Sequence, residues 1–218
     1  MCAALRATDA CCIFVNYTLP AGHALSEWHF ASTGVAGADL YAWDDGGDAG
    51  AGAEEAASAT ATWRWTGTAA PSQPYTVAKL ASLSCDPRAP AGCVRARTYR
   101  LHLPTYSPVY EVRIGVNAEA ALPPTPDRDT GLDSGRAPIV WYGSSILQGG
   151  VASRPGQVAT HIVSRALRTE VMNFGFSGNG LMELPVARYL GRINASMIIV
   201  DCNPNMNASL IAAHNFPA

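Results

Sequence analysis

The segments PIVWYGSSILQGG (138–150), VMNFGFSGNG (171–180) and MIIVDCNPN (197–205) share one pattern, a short apolar run that ends in small polar residues. Ile139 to Tyr142, Glu170 to Phe174 and Met197 to Val200 read as strands; the last is apolar at every position, as in strands covered on both faces. Between them lie two helix-compatible stretches, Pro155 to Arg168 and Leu181 to Ile193, with Pro185 close enough to the start of its helix to be tolerated. Strands and helices alternating at this spacing predict βαβ units, a parallel sheet and right-handed crossovers. The C-terminal part is expected to be α/β.

Outward from there, ALPPTPDRDTGLDSGRA (121–137) is rich in Pro, Asp and Gly and reads as a linker. Ahead of it the runs are short and favour β-branched and aromatic residues: Ala38 to Trp43, Ala61 to Thr66, Tyr75 to Leu80, Val94 to Leu103 and Val109 to Val116. Turn residues separate them, and no helical stripe of useful length precedes residue 150. DDGGDAGAGAEEAASAT (44–60) has no apolar period and reads as a solvated loop. The expected fold class is α+β with two domains: an antiparallel β-sandwich over 23–120, a linker over 121–137 and an α/β domain over 138–218.

Composition narrows the function. Fifteen Lys and Arg against 17 Asp and Glu leave a net charge of -2, so no basic field draws nucleic acid or acidic lipid. Hydrophobic residues at 48% supply a core, and no apolar run approaches the ~18 residues of a spanning helix. The apolar stretch Cys11 to Val15, flanked by Arg6 alone, is too short for a signal core, so no compartment is assigned. Six cysteines without C-x-x-C spacing, two of them adjacent at Cys11-Cys12, imply no zinc site. Cys85 and Cys93 bracket CDPRAPAGC and could close that loop as a disulfide or stay as two free thiols. Sequons at Asn16, Asn194 and Asn207 bear on the protein only if it is secreted.

In open α/β sheets ligands sit beyond the carboxyl ends of the strands. Here those ends carry Gly143-Ser144-Ser145, Gly175-Phe176-Ser177-Gly178-Asn179-Gly180 and Asp201-Cys202-Asn203-Pro204-Asn205. A serine just past a strand can open a helical turn, glycines let backbone N–H groups approach a carbonyl, and an asparagine adds a donor. Together these suit a nucleophile with an oxyanion hole. Each cluster alone is also ordinary loop chemistry. G-x-S-x-G is absent, as are G-x-G-x-x-G after the first strand and a P-loop, which argues against an α/β-hydrolase elbow and against nucleotide binding.

Residues 138 to 206 resemble the SGNH (GDSL-like) hydrolase superfamily through YGSSILQGGVASRPG, NFGFSGNG and DCNPNM. Gly37-Ala38-Asp39-Leu40-Tyr41 is similar to the G-x-D-L-Y signature of a β-sandwich domain that precedes such hydrolases, with Trp63-Arg64-Trp65-x-Gly67 and Tyr99 to Val116 resembling later parts of it. The resemblance implies a flavodoxin-like α/β domain. It places Ser145 at the nucleophile, Gly178 at the oxyanion glycine and Asn205 at the oxyanion asparagine, with Asn203 competing for the last role. Ser144 stands where many relatives have Asp. It further implies an esterase or acyltransferase that acts on a small-molecule or carbohydrate ester, with no metal or organic cofactor. Arg154, in the ASRPG segment, is a candidate to hold a substrate carboxylate or to cap its loop. Asp201 is a second residue near the strand ends, and the structural role is favoured for both.

The resemblance also calls for a D-x-x-H block whose His is the general base. Three residues before His214 stands Ile211; His161 falls within the first helix, and His23, His29 and His102 belong to the β part. The expectation is therefore of an α/β domain cut short, lacking strands and base, and inactive as these 218 residues. Met197 to Val200 would then be an apolar edge open to self-association. The competing reading is a non-catalytic module, structural or carbohydrate-binding through Trp28, Tyr41, Trp43, Trp63 and Trp65. Alternating Trp63 and Trp65 share one face, however, and suit a packed interior better than a sugar platform.

Overall fold

The alternation in Thr98-Tyr99-Arg100-Leu101-His102 puts Tyr99 and Leu101 on one face of a strand and Arg100 and His102 on the other. Both sets are buried, against different partners. That double burial organises the fold. In a computed structural model of the chain, which describes residues 2–7, 12–18, 29–44, 62–70, 75–82, 97–115 and 135–213, ten strands form three sheets. Strands β1 (Cys2–Ala7), β6 (Arg97–His102), β3 (Ala38–Asp44) and β4 (Thr62–Ala69) make an antiparallel sheet in the order β1-β6-β3-β4. Strands β5 (Tyr75–Ser82), β2 (Cys12–Thr18) and β7 (Glu111–Gly115) make a second, in the order β5-β2-β7. One apolar cluster serves both: Tyr17 of β2 lies among Leu40, Ala42, Tyr99 and Leu101, with Val112 and Ile114 packed alongside. The Tyr17 hydroxyl donates to the carbonyl of Ala36, 2.7 Å away. Helix α1 (Ser32–Val35) adds Val35 to that cluster.

The third sheet is parallel. Strands β10 (Met197–Asp201), β8 (Ile139–Gly143) and β9 (Val171–Gly175) lie in that order, so the first strand of this part is central. Helix α2 (Ser145–Gln148) follows β8, α3 (Ala159–Leu167) leads into β9, α4 (Leu184–Leu190) leads into β10, and α5 (Ala208–Ala213) comes last. Val140, Tyr142, Leu190 and Cys202 centre a second apolar cluster. Met197, Ile198 and Val200 on the edge strand β10 are about half exposed. The overall result is a mixed α/β protein of sheets with few helices. Strands β1 and β2 lie ahead of residue 23, where the first domain was expected to begin. The 44–60 loop beyond Asp44, the Cys85–Cys93 loop, Trp28, His23, His214 and most of the 121–137 linker lie outside the described residues. Among the described residues Cys202 is a free, buried thiol, and no helix is long and apolar enough to cross a membrane.

Arg100 and His102 face α3, and there the parts of the molecule meet. Four guanidinium groups cover four aromatic rings of the first sheet: Arg100 over Trp63 (4.5 Å), Arg154 over Trp65 (4.9 Å), Arg165 over Tyr41 (4.0 Å) and Arg168 over Trp43 (4.8 Å). Such contacts contribute about 0.5–2 kcal/mol each, more when dry. Trp63 is buried as the alternation suggested. Trp65 is 52% exposed, so its place is the rim of this junction rather than a packed interior.

His102 and His161 stack in the same junction with ring centroids 4.4 Å apart, and Arg165 Nη1 lies 3.1 Å from His102 Nε2. Burial, with Arg165 and Arg100 nearby, holds His102 well below the usual histidine range and His161 down at about 4. Folded histidines that stay neutral cost stability once the unfolded chain can protonate. Between pH 6.5 and about 4 the unfolded state binds more protons, so stability is full above pH 6.5 and falls as pH drops. The slope is up to about 1.4 kcal/mol per pH unit for each histidine. The urea midpoint is expected to fall from pH 7 to pH 5, and to fall less in His161→Phe. Equal midpoints at the two pH values would contradict this.

Candidate active site

The register of the parallel sheet sets the site. Gly143 pairs with Gly175 on one side and with Asp201 on the other, so three strands end flush and release their polar segments at one edge. Beyond β8, Ser144 is fully buried and caps α2, its Oγ accepting the N–H of Ile146 at 3.3 Å. Ser145 is the first residue of α2 and is half-buried. Its carbonyl accepts the N–H groups of Gly149 (3.1 Å) and Gly150 (2.7 Å) and the hydroxyl of Tyr106 (2.9 Å). A serine after a capped strand end is thereby fixed from the backbone side.

The segment after β9 folds back over this turn. The N–H of Phe176 donates to the Gly143 carbonyl at 3.0 Å. Gly180, at φ +73°, lies so close that a Cβ there would fall 2.3 Å from the Gly143 oxygen; only glycine fits. Gly178, at φ +69°, has open space where a side chain would be, and residues 176–179 are exposed. The segment after β10 turns through Asn203–Asn205, and the Asn205 amide donates to the Asn179 carbonyl, tying the third strand end to the second. Asn203 is exposed. Ser145, Gly178 and Asn205 are thus on neighbouring segments at one sheet edge, while Arg154 is drawn away. Its Nε lies 3.1 Å from the buried carboxylate of Asp39 and its guanidinium covers Trp65.

Beneath the site, the Tyr142 hydroxyl donates to Glu183, whose Oε2 also accepts the N–H of Leu181 at 2.9 Å. Burial and the neighbouring carboxylate push the Tyr142 hydroxyl up from its usual range, so it stays a donor. Of the histidines, His161 is buried with Nδ1 2.7 Å from the Pro155 carbonyl, His102 is fully buried against it, and His29 is exposed with its ring edge-on to Phe30. Among the described residues no cluster of His, Cys, Asp and Glu could hold a metal. Thr105, Tyr106 and Gln148, which brace the site, and Asp39, which holds the Arg154–Gly156 turn, were not singled out from the sequence as braces; for Asp39 the G-x-D-L-Y motif was the available signal.

Residues 136–217 match the GDSL-like Lipase/Acylhydrolase family, and residues 5–122 match GxDLY, the N-terminus of Esterase_SGNH_hydro-type. Among solved structures the chain is similar to a Bacteroides ovatus protein described as a GDSL-like lipase, at 27% identity and a TM-score of 0.77, over 97% of this chain and 53% of that one. It also shares the fold of a salicylyl-acyltransferase from a tetracycline biosynthetic pathway, at 18% identity and a TM-score of 0.60, over 94% of this chain and 47% of that one. The chain spans about half the length of each. No curated protein matches it.

Proposed function

This chain belongs to the SGNH-hydro-type esterases, whose GxDLY N-terminus matches more than half of it, and from that premise we propose that it forms part of a serine-dependent carboxylic-ester hydrolase, open to acyl transfer as well. Ser145 Oγ attacks the acyl carbonyl; the Gly178 N–H, the Ser145 N–H and the Asn205 amide receive the oxyanion. The observation that carries this is the flush register of Gly143, Gly175 and Asp201, which delivers all three segments to one edge. Asn205 suits the role better than Asn203. One of its two N–H groups is spent on the Asn179 carbonyl, which orients the other. Arg154 is assigned to holding its loop through Asp39 rather than to a substrate carboxylate. We read β1–β7 as an antiparallel β-sandwich domain and β8–β10 as part of a flavodoxin-like sheet, with a small-molecule or carbohydrate ester as substrate.

The reaction needs a base to take the Ser145 proton, and the sequence holds no D-x-x-H to supply it. Free imidazole can stand in. Residues 1–218 treated with p-nitrophenyl acetate and imidazole, quenched in acid and mapped by peptide mass spectrometry, are expected to carry acetyl on Ser145. Imidazole accepts the Oγ proton, the Oγ–C bond forms and p-nitrophenolate leaves. Acetyl on another residue, with Ser145 unmodified, would overturn the assignment.

A further inference from the structure

Gln148 sits where three parts of the molecule meet. Its Nε2 donates to the Thr105 carbonyl at 3.1 Å, in the segment after β6, and its Oε1 accepts the N–H of Ser177 at 2.8 Å. Its own N–H closes α2 onto the Ser144 carbonyl at 3.1 Å. The contact with β9 is close: a Cβ on Gly175 would fall 2.1 Å from the Gln148 nitrogen. Next to Thr105, Tyr106 donates to the Ser145 carbonyl.

A primary amide donates and accepts from one rigid plane, so a single side chain can fix two backbones relative to each other. The segment it grips is otherwise exposed and passes through Gly178 at positive φ with no neighbour at the Cβ position. We propose that Gln148 is the positioning residue of the loop that carries Gly178, and that through it the Thr105–Tyr106 segment holds that loop and the Ser145 turn in one register. The proposal deepens the reading of Ser145 and Gly178 given above and rests on it for its functional meaning. An oxyanion donor displaced by 1 Å can cost about 10²-fold in rate. On this account the antiparallel part is a structural component of the site.

Amide hydrogen exchange on residues 1–218 tests the positioning. Gln148→Met keeps the volume and removes both hydrogen bonds. It is expected to speed exchange at Ser177, whose N–H loses its acceptor, by about tenfold, with the amides of Ile139–Gly143 unchanged. Gln148→Glu keeps an acceptor for the Ser177 N–H and loses the donor to Thr105, and is expected to restore only part of the protection at Ser177, the remaining loss being the share of the Thr105 anchor; full restoration would mean that Thr105 plays no part in holding the loop. Unchanged exchange at Ser177 in Gln148→Met, or acceleration spread equally over β8, overturns the proposal. A second arm reads the site itself with phenylboronic acid, whose boron takes the Ser145 Oγ lone pair while the proton passes to solvent. Gln148→Met is expected to weaken that adduct about tenfold, and Ser145→Ala to abolish it. Wild-type affinity in Gln148→Met counts against the positioning role. Binding that survives Ser145→Ala, or none in the wild type, counts against the nucleophile and leaves the exchange result to decide Gln148.

Discussion

Residues 1–218 are expected to hydrolyse p-nitrophenyl acetate no faster than their own Ser145→Ala variant, and a gap between the two is expected to open only when imidazole is added. A serine hydroxyl is a poor nucleophile until a base within hydrogen-bond reach takes its proton. Losing that base costs on the order of 10⁶ in kcat in a well-studied serine hydrolase. Of the described histidines, His102 and His161 are buried in the junction between the first sheet and α3, and His161 is committed to the Pro155 carbonyl. His29 is exposed beside Phe30, which packs on Tyr106, the residue that donates to the Ser145 carbonyl. Imidazole from solution lacks the effective molarity of a tethered base, so rescue is expected to recover a small part of the loss. Steady-state rates of the wild type, Ser145→Ala and His29→Ala, with and without imidazole, settle the matter. Fast Ser145-dependent turnover without imidazole would mean that one of the chain's own histidines is the base. Its disappearance in His29→Ala would then identify which.

Local pattern carried much of the architecture because most strands here are short apolar or alternating runs bounded by turn residues. Ile139–Gly143, Val171–Gly175 and Met197–Asp201 fall within a residue of where their composition put them. Strand β1 was not legible, since CAALRA has no β-branched residue and is stabilised by β6, far along the chain. Strand β2, CIFVNYT, does carry the β-branched and aromatic residues of a strand; what its composition could not show was its pairing with β5 and β7. The expected helix Pro155 to Arg168 begins as a separate 3-10 turn over Pro155–Gln157, whose Gly156 N–H is held by Asp39, and Val158 is extended before α3 starts. The second helix is shorter than its pattern, Leu184–Leu190, since Glu183 is held by Tyr142 and the Leu181 N–H. Ser145, Gly178 and Asn205 could be named from strand ends and motif. Thr105, Tyr106 and Gln148 could not be recognised as braces, because their contacts cross between segments that no local period connects.

Asp39→Ala is expected to lower stability by about 3–5 kcal/mol, the cost of removing one partner from a buried charged network. The carboxylate is fully buried. It accepts the Thr68 hydroxyl on Oδ1 and the Gly156 N–H on Oδ2 at 2.8 Å, and Arg154 Nε lies 3.1 Å from Oδ2. Alanine leaves these donors unanswered inside the junction that carries the turn between α2 and α3. Burial nevertheless dominates the carboxyl and pushes its pKa up against all three contacts, so the charge itself is expensive to hold there. Asp39→Asn, which keeps one acceptor and sheds the charge, is therefore expected to cost only about 1–2 kcal/mol. Urea unfolding at pH 7 compares the two, and a near-neutral Asp39→Ala would contradict the account. The double-mutant cycle with Arg154→Ala separates the ion pair from the hydrogen bonds. If Asp39 is what Arg154 serves, adding Arg154→Ala to Asp39→Ala costs less than Arg154→Ala alone, the remainder being its contact with Trp65. Strict additivity would mean that Arg154 acts independently of Asp39, and would return it to the candidates for substrate contact.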